Sequence, residues 1–219
     1  MNAPIIGLTG RLGSGKDTVF ERMSAIFPET YVRQSFADPL KESIAALFGV
    51  SLYELEVFKR DPDSVVVLGD DAQEKGDLVS PTVIFTMREF MQRYGTEAHR
   101  DIFGTDFWVD TAMRKIQEYV PQPWQGKRDD HAPTFVFTDV RFDNEAEAIR
   151  ARGGEIWEVR GPDEDTGSHA SEAGIDPYFI TLTIDNTVRR NRINGVTGEK
   201  TPDFDRLDAQ IVAALQEYA

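Results

Sequence analysis

The 219-residue chain contains no cysteine, which excludes disulfides and thiolate metal sites and fits a reducing cytoplasm. Histidine is nearly as scarce. His99, His131 and His169 stand far apart without ligand spacing, so no structural metal site is expected. No apolar run approaches the about 20 residues of a membrane-spanning helix, and the apolar stretch near the start is too short for a secretory signal. Positive charge is lacking too: 24 Lys and Arg face 38 Asp and Glu, a formal net charge of −14. That balance argues against a nucleic-acid motor, whose surface should be basic. A small anionic substrate is still acceptable, because it responds to the local field of a cleft. A Gly-x-Ser-x-Gly elbow and an Asn-Lys-x-Asp run are both missing, so a serine hydrolase and a guanine-nucleotide switch lack their signatures.

What is present is ordinary globular material, 40% hydrophobic and 28% charged, enough for one α/β domain with an insertion and a substantial core. Its most informative segment is Gly10-Arg11-Leu12-Gly13-Ser14-Gly15-Lys16-Asp17-Thr18, directly after Ile5-Ile6-Gly7-Leu8. A strand feeds a glycine-rich loop, and a helix-like stretch follows. Gly10, Gly13 and Gly15, with Arg11 and Ser14 between them, let backbone N–H groups turn inward around a polyphosphate. Lys16 reaches the β- and γ-phosphates, and the helix N-terminus adds partial positive charge. The hydroxyl that ligates Mg²⁺ in a common P-loop follows the lysine directly. Here Asp17 takes that place and Thr18 comes one later, so the ion is expected to be held through water, with Asp17, Thr18 and Asp139 as donors.

Along the chain, strands are expected at 5–8, 31–36, 135–139, 155–160 and 181–184. Helices are expected to Phe27, from an Asp38 N-cap with Pro39 in the first turn to Phe48, at 52–58, from Val83 to Tyr94, at 107–120, at 144–152 and around Leu207, Ile211, Ala214 and Leu215. Asp61-Pro62-Asp63 and Gly69-Asp70-Asp71 interrupt an acidic insertion, 121–133 reads as a polar loop, and Asn194-Gly195 signals a hairpin. Alternating strands and helices imply a parallel sheet with helices on both faces, an α/β P-loop three-layer fold. The expected core is 1–37 with 101–219, carrying a lid near 161–180. A helical acceptor-binding insertion spans 38–100. Such sheets bind ligands at the carboxyl ends of their strands.

Phosphoryl transfer needs positioning and charge neutralisation more than covalent chemistry. Asp139, ending the strand 135–138, is where a magnesium-organising acid belongs, and Arg141 presents a guanidinium to the same crevice, able to hold a phosphate bidentately. In the insertion, Lys41, Arg88 and Gln92 are candidates. Arg88 and Gln92 are four apart and share a helix face, one suited to phosphate and the other to a base edge. Phe107 and Trp108 can stack on a base or belong to the core.

Several runs together resemble the bacteriophage-type deoxynucleoside monophosphate kinases. They are Gly10 to Thr18, Phe36-Ala37-Asp38-Pro39-Leu40-Lys41-Glu42, Arg88-Glu89-Phe90-Met91-Gln92-Arg93-Tyr94-Gly95-Thr96, Phe107-Trp108-Val109, Asp139-Val140-Arg141-Phe142-Asp143-Asn144-Glu145 and His169-Ala170-Ser171-Glu172. The resemblance implies transfer of the γ-phosphoryl of ATP, with Mg²⁺, to a dNMP, in the cytoplasm (a host's, if phage-encoded). It implies an acceptor site formed by Asp38, Lys41, Arg88, Gln92, Trp108, Arg141 and Glu172, with nucleotides as partners and neither nucleic acid nor membrane. Two departures stand out. Residues 161–180 contain no Arg or Lys, so the lid's cation must come from Arg160 or the 189–200 hairpin, and the 186–203 segment has no assigned role. A P-loop kinase of another phosphorylated metabolite (phosphomevalonate or dephospho-coenzyme A type) and a non-kinase P-loop NTPase are the alternatives. Base preference, acceptance of ribonucleotides and a homodimer are left open.

Overall fold

The computed structural model describes residues 4–68, 83–119, 133–162, 174–187, 189–191 and 200–218. In chain order these form β1 (Ile5–Thr9), α1 (Lys16–Ile26), β2 (Tyr31–Gln34), α2 (Asp38–Phe48), α3 (Leu52–Arg60), β3 (Val65–Leu68), β4 (Val83–Thr86) and α4 (Met87–Gly95). A π-helical turn (Thr96–Arg100), α5 (Asp101–Phe103), α6 (Phe107–Tyr119), β5 (Thr134–Val140), α7 (Asp143–Arg150) and β6 (Glu155–Arg160) come next. The chain ends through a 3-10 turn (Pro177–Phe179), β7 (Leu182–Asp185), β8 (Arg189–Asn191), β9 (Lys200–Pro202) and α8 (Phe204–Tyr218). It divides into two compact units, Met1–Phe36 with Ala112–Ala219, and Ala37–Thr111.

The first unit is built on a parallel sheet in the order β2-β5-β1-β6-β7. β1 is buried at every position and β5 nearly so, as a parallel strand covered on both faces must be. Alternation sorts their side chains. Ile6, Leu8 and Val136 join Val19 and Met23 of α1 and Leu207 and Ile211 of α8 in one cluster. Gly7 faces the other way, where a Cβ would lie 2.7 Å from Ile149 of α7. Each fully buried Ile, Leu or Phe side chain contributes roughly 1.5–3 kcal/mol relative to exposure. Because β1 lies between β5 and β6, its carboxyl end opens at the point where the strand order reverses, the usual ligand crevice of such sheets. β2 stops at Gln34, two residues earlier than its apolar pattern suggests, because Ser35 and Phe36 turn to meet Asp139.

The second unit packs Ile44 and Ala45 of α2, Leu55 of α3, Val66 of β3 and Met87, Phe90 and Met91 of α4 together. A helix from Val83 does not form. Residues 83–86 are a strand, antiparallel to β3 with Leu68 opposite Val83 and Val65 opposite Thr86. Val-Ile-Phe-Thr is β-branched and aromatic, and Thr86 starts α4 through a capping box with Glu89. Ser51 and Glu54 do the same for α3. α2 begins at Asp38 itself after an Ala37 cap, so Asp38 occupies the first turn, and Gly49 closes the helix in the left-handed conformation.

β8 and β9 form an antiparallel ladder, while the expected Asn194-Gly195 turn lies outside the described residues. So do most of the 121–133 loop and of the expected lid, including Glu172 and the rest of the His169-to-Glu172 run. Among the described residues no helix is long and apolar enough to cross a membrane.

Candidate active site

The loop between β1 and α1 closes around a lysine. Lys16, the first residue of α1, donates from Nζ to the carbonyls of Gly10 at 2.7 Å and Arg11 at 2.9 Å. Burial pulls its pKa below the usual lysine range. Arg141 pushes the same way, while Asp17 and Asp139 oppose it. A partly desolvated ammonium resting on neutral carbonyls is a poor place for a charge until an anion arrives.

The loop's shape is held from two later segments. Asn186, just beyond β7 and buried, donates its side-chain amide to the Ser14 carbonyl at 2.9 Å. Gly15 makes room for it: its φ is 95°, and a Cβ there would lie 2.3 Å from Asn186 Nδ2. Gly161, after β6, lies against the Ser14 backbone, where a Cβ would come within 2.5 Å of Ser14 Cα. Ser14 Oγ is itself buried and has no hydrogen-bond partner among the described residues. Asn186 is a loop-holding position that sequence reasoning missed.

At the end of β5, Asp139 accepts from Ser35 Oγ at 2.6 Å and from the Phe36 amide at 2.9 Å. Phe36 stacks on Phe137 at 4.3 Å, which fixes that junction. Buried Glu145, in the first turn of α7, accepts from the amides of Arg141 at 2.7 Å and Phe142 at 3.1 Å. That shapes the strand end so that the exposed Arg141 side chain is free of the sheet. Asp17 is turned to Arg33 of β2 at 3.2 Å and is largely exposed. Thr18 lies in the first turn of α1, half-buried.

Above these strand ends lies a cleft of about 460 Å³. Arg11, Lys16, Arg141 and Arg160 line it, with Glu158 the one acidic residue among the described lining. Arg160 pairs with Glu158 at 2.8 Å. In a chain of net charge −14, four cations and one carboxylate lining a cleft give it a local excess of positive charge.

The insertion unit carries the other candidates. Arg88 and Gln92 are exposed on α4, opposite buried Met87, Phe90 and Met91. Lys41 pairs with Glu56 at 2.8 Å, and Glu56 also meets Lys59 at 3.6 Å. Trp108 donates its indole N–H to the Gly95 carbonyl at 2.9 Å, beside the π-helical turn, and its ring lies 4.9 Å from His99 and 4.8 Å from Phe107. Its polar atom therefore ties α6 to the end of α4, and its ring packs with those of His99 and Phe107. Asp38 is half-buried in the first turn of α2.

A parallel sheet whose central strand runs into a glycine loop and a lysine at the reversal of strand order is that of a P-loop NTPase-like α/β protein. Residues 52–190 match the family described as deoxynucleotide monophosphate kinase. A protein of Acanthamoeba polyphaga mimivirus described as "Putative deoxynucleotide monophosphate kinase" is 30% identical over 195 residues, covering 84% of this chain and 90% of that one. The chain belongs to the deoxynucleotide monophosphate kinase family, and its relative comes from a giant virus where the sequence runs suggested phage.

Proposed function

We propose that the chain transfers the γ-phosphoryl group of ATP to the phosphate of a dNMP, giving dNDP and ADP. The observation that carries this is the cationic cleft over the P-loop, with Lys16 held at its floor. On ATP binding, Lys16 exchanges the Gly10 and Arg11 carbonyls for β- and γ-phosphate oxygens, and the anion removes the cost of its burial. A phosphate oxygen of the acceptor attacks the γ-phosphorus as the bond to the β,γ-bridging oxygen breaks, and the bridging electrons leave on ADP. A phosphate monoester near pH 7 is already an anion, so this acceptor needs no general base. Catalysis consists of alignment and neutralisation, which Lys16 and Arg141 supply at the transferring group.

The residues fit a hydrated Mg²⁺ ion. Among the described residues no group of three His, Asp or Glu forms a cage, and Mg²⁺ usually keeps several waters, using one or two carboxylates plus substrate phosphates. Asp139, close enough to Lys16 to influence its charge, would hold such an ion through water, with Thr18 and Asp17 beyond it. The ion would neutralise charge shared by the β- and γ-phosphates. On the insertion, Arg88 and Lys41 hold the acceptor phosphate and Gln92 reads the base.

Incubating the chain with ATP and each of the four common dNMPs, and following ADP and dNDP, tests the reading. ADP formation that depends on a dNMP and matches dNDP one for one is expected. ATP hydrolysis indifferent to any dNMP would overturn it.

A further inference from the structure

Two helices of the insertion unit bring lysines to one carboxylate, and a third carries an arginine whose charge reaches them. Lys41 comes from the first turns of α2, Lys59 from the last turn of α3 and Arg88 from the first turn of α4. Glu56 sits among them, bridging Lys41 and Lys59. The Lys41, Glu56 and Lys59 side chains are 24%, 31% and 30% exposed, so they are reachable without being splayed into solvent. Lys59 feels both other cations: burial lowers its pKa, Glu56 raises it, and Lys41 and Arg88 lower it again. Burial pushes Glu56 up, but the hydrogen bond and charge of Lys41, with Lys59, outweigh it and hold the carboxyl below its usual range.

Composition makes this gathering unusual. Residues 37–111 hold seven Lys and Arg against fifteen Asp and Glu. Glu89, next to Arg88, turns its carboxylate to the Thr86 amide and hydroxyl, and no ion pair joins it to Lys41 or Lys59 among the described residues. A lysine in the last turn of a helix is often explained by the helix dipole, and an i,i+3 pair such as Glu56–Lys59 adds only weak stabilisation. Neither effect accounts for Lys41 being drawn in from a different helix to the same carboxylate.

We propose that Lys59 is a third phosphate-binding cation of the acceptor site, beside Lys41 and Arg88, and that Glu56 is an internal carboxylate which the acceptor's phosphate displaces. This rests on the assignment of Lys41 and Arg88 to the acceptor. A phosphate monoester carries about −1.5 to −2 charge at pH 7 and three strong acceptor oxygens, whereas Glu56 offers one charge and two oxygens. The dianion therefore offers the two lysines more charge and more acceptor oxygens than the tethered carboxylate does. Without nucleotide, Glu56 keeps the two lysines from repelling each other.

The test is calorimetric titration of the full chain, and of Lys59→Gln, Lys59→Arg and Glu56→Gln, with each dNMP and with its unphosphorylated deoxynucleoside. The wild type is expected to prefer the nucleotide. Lys59→Gln reduces that preference about tenfold, Lys59→Arg retains most of it, and Glu56→Gln tightens dNMP binding about threefold without changing nucleoside binding. Melting curves check that each variant is folded, and an unchanged KM for ATP shows that the P-loop is untouched. A folded Lys59→Gln that keeps the wild-type preference within about twofold overturns the proposal, as does a Glu56→Gln that binds dNMP more weakly. A wild type with no preference for nucleotide over nucleoside removes the acceptor assignment itself, an outcome distinct from failure at Lys59 alone.

Discussion

The side-chain amide of Asn186 donates to the Ser14 carbonyl across 172 residues of sequence, joining the end of β7 to the phosphate loop. On the proposed reading the backbone N–H groups of that loop would bind the phosphates of ATP, so holding its backbone would tune ATP binding. Asn186→Ala leaves a buried carbonyl unpaired. It is expected to cost about 1–3 kcal/mol of stability and to raise the KM for ATP about tenfold, with the KM for the acceptor little changed. Thermal melts and initial rates with each substrate varied separately check both effects.

Lys16→Met removes the cation proposed to meet the transferring phosphoryl group. Turnover is expected to fall about 100-fold or more. The ligand-free protein should not melt lower, since burial already disfavours the charged lysine. Steady-state rates and scanning calorimetry decide it, and near-normal turnover would remove the P-loop from the mechanism.

Asp139→Asn keeps the shape of the side chain, so its links to Ser35 and Phe36 can persist while the charge is lost. The Mg²⁺ concentration for half-maximal rate is expected to rise about tenfold. An unchanged Mg²⁺ titration would reduce Asp139 to a strap between β5 and the end of β2.

Arg88 and Gln92 should fail differently. Arg88→Ala is expected to weaken all four dNMPs together. Gln92→Ala should reorder them by about threefold to tenfold, because an amide with two donors and an acceptor can discriminate base edges. The kcat/KM values for the four acceptors separate the cases, and a uniform loss in Gln92→Ala would assign that residue to scaffold.

Asp185, next to Asn186, is held below its ordinary pKa of 3.8 by the hydroxyl and amide of Thr187, aided by Arg206 and Arg160. A depressed carboxyl contributes stability above its ordinary pKa and loses it as pH falls through the lower folded value. Asp185→Asn should therefore melt below the wild type at pH 7, and the gap should narrow below about pH 3.8. Melting temperatures across pH 3 to 7 would show this, and a gap that stays constant would contradict it.

The phosphate loop and the strands β1, β5 and β6 were legible because each has a local signature: glycines before a lysine, or an apolar run long enough to be buried on both faces. Asp139 and Arg141 followed from their place at such a run's end. Asn186 was not legible, since one asparagine after a short strand carries no pattern and its partner lies in the first turn of the chain. Lys59 lies just past the expected 52–58 helix with no motif around it, and only the folded unit joins it through Glu56 to Lys41. The Val83–Thr86 strand was hidden because Phe85, Phe90 and Met91 read as the apolar positions of one helix from Val83 to Tyr94, and the β-branched pair and the Thr86–Glu89 cap decide against it.

β1 lies at residues 5–9, yet both its neighbours, β5 and β6, come from beyond residue 133. On a ribosome adding about 5–20 residues per second, this strand is synthesised roughly 7–30 s before its last partner. Residues 37–111, drawn from one continuous stretch, have no such wait. During that interval Ile5-Ile6-Gly7-Leu8 is an unpaired apolar segment open to neighbouring nascent chains. The strand that leads into the glycine loop is thus the part of the sheet that waits longest for its partners during synthesis.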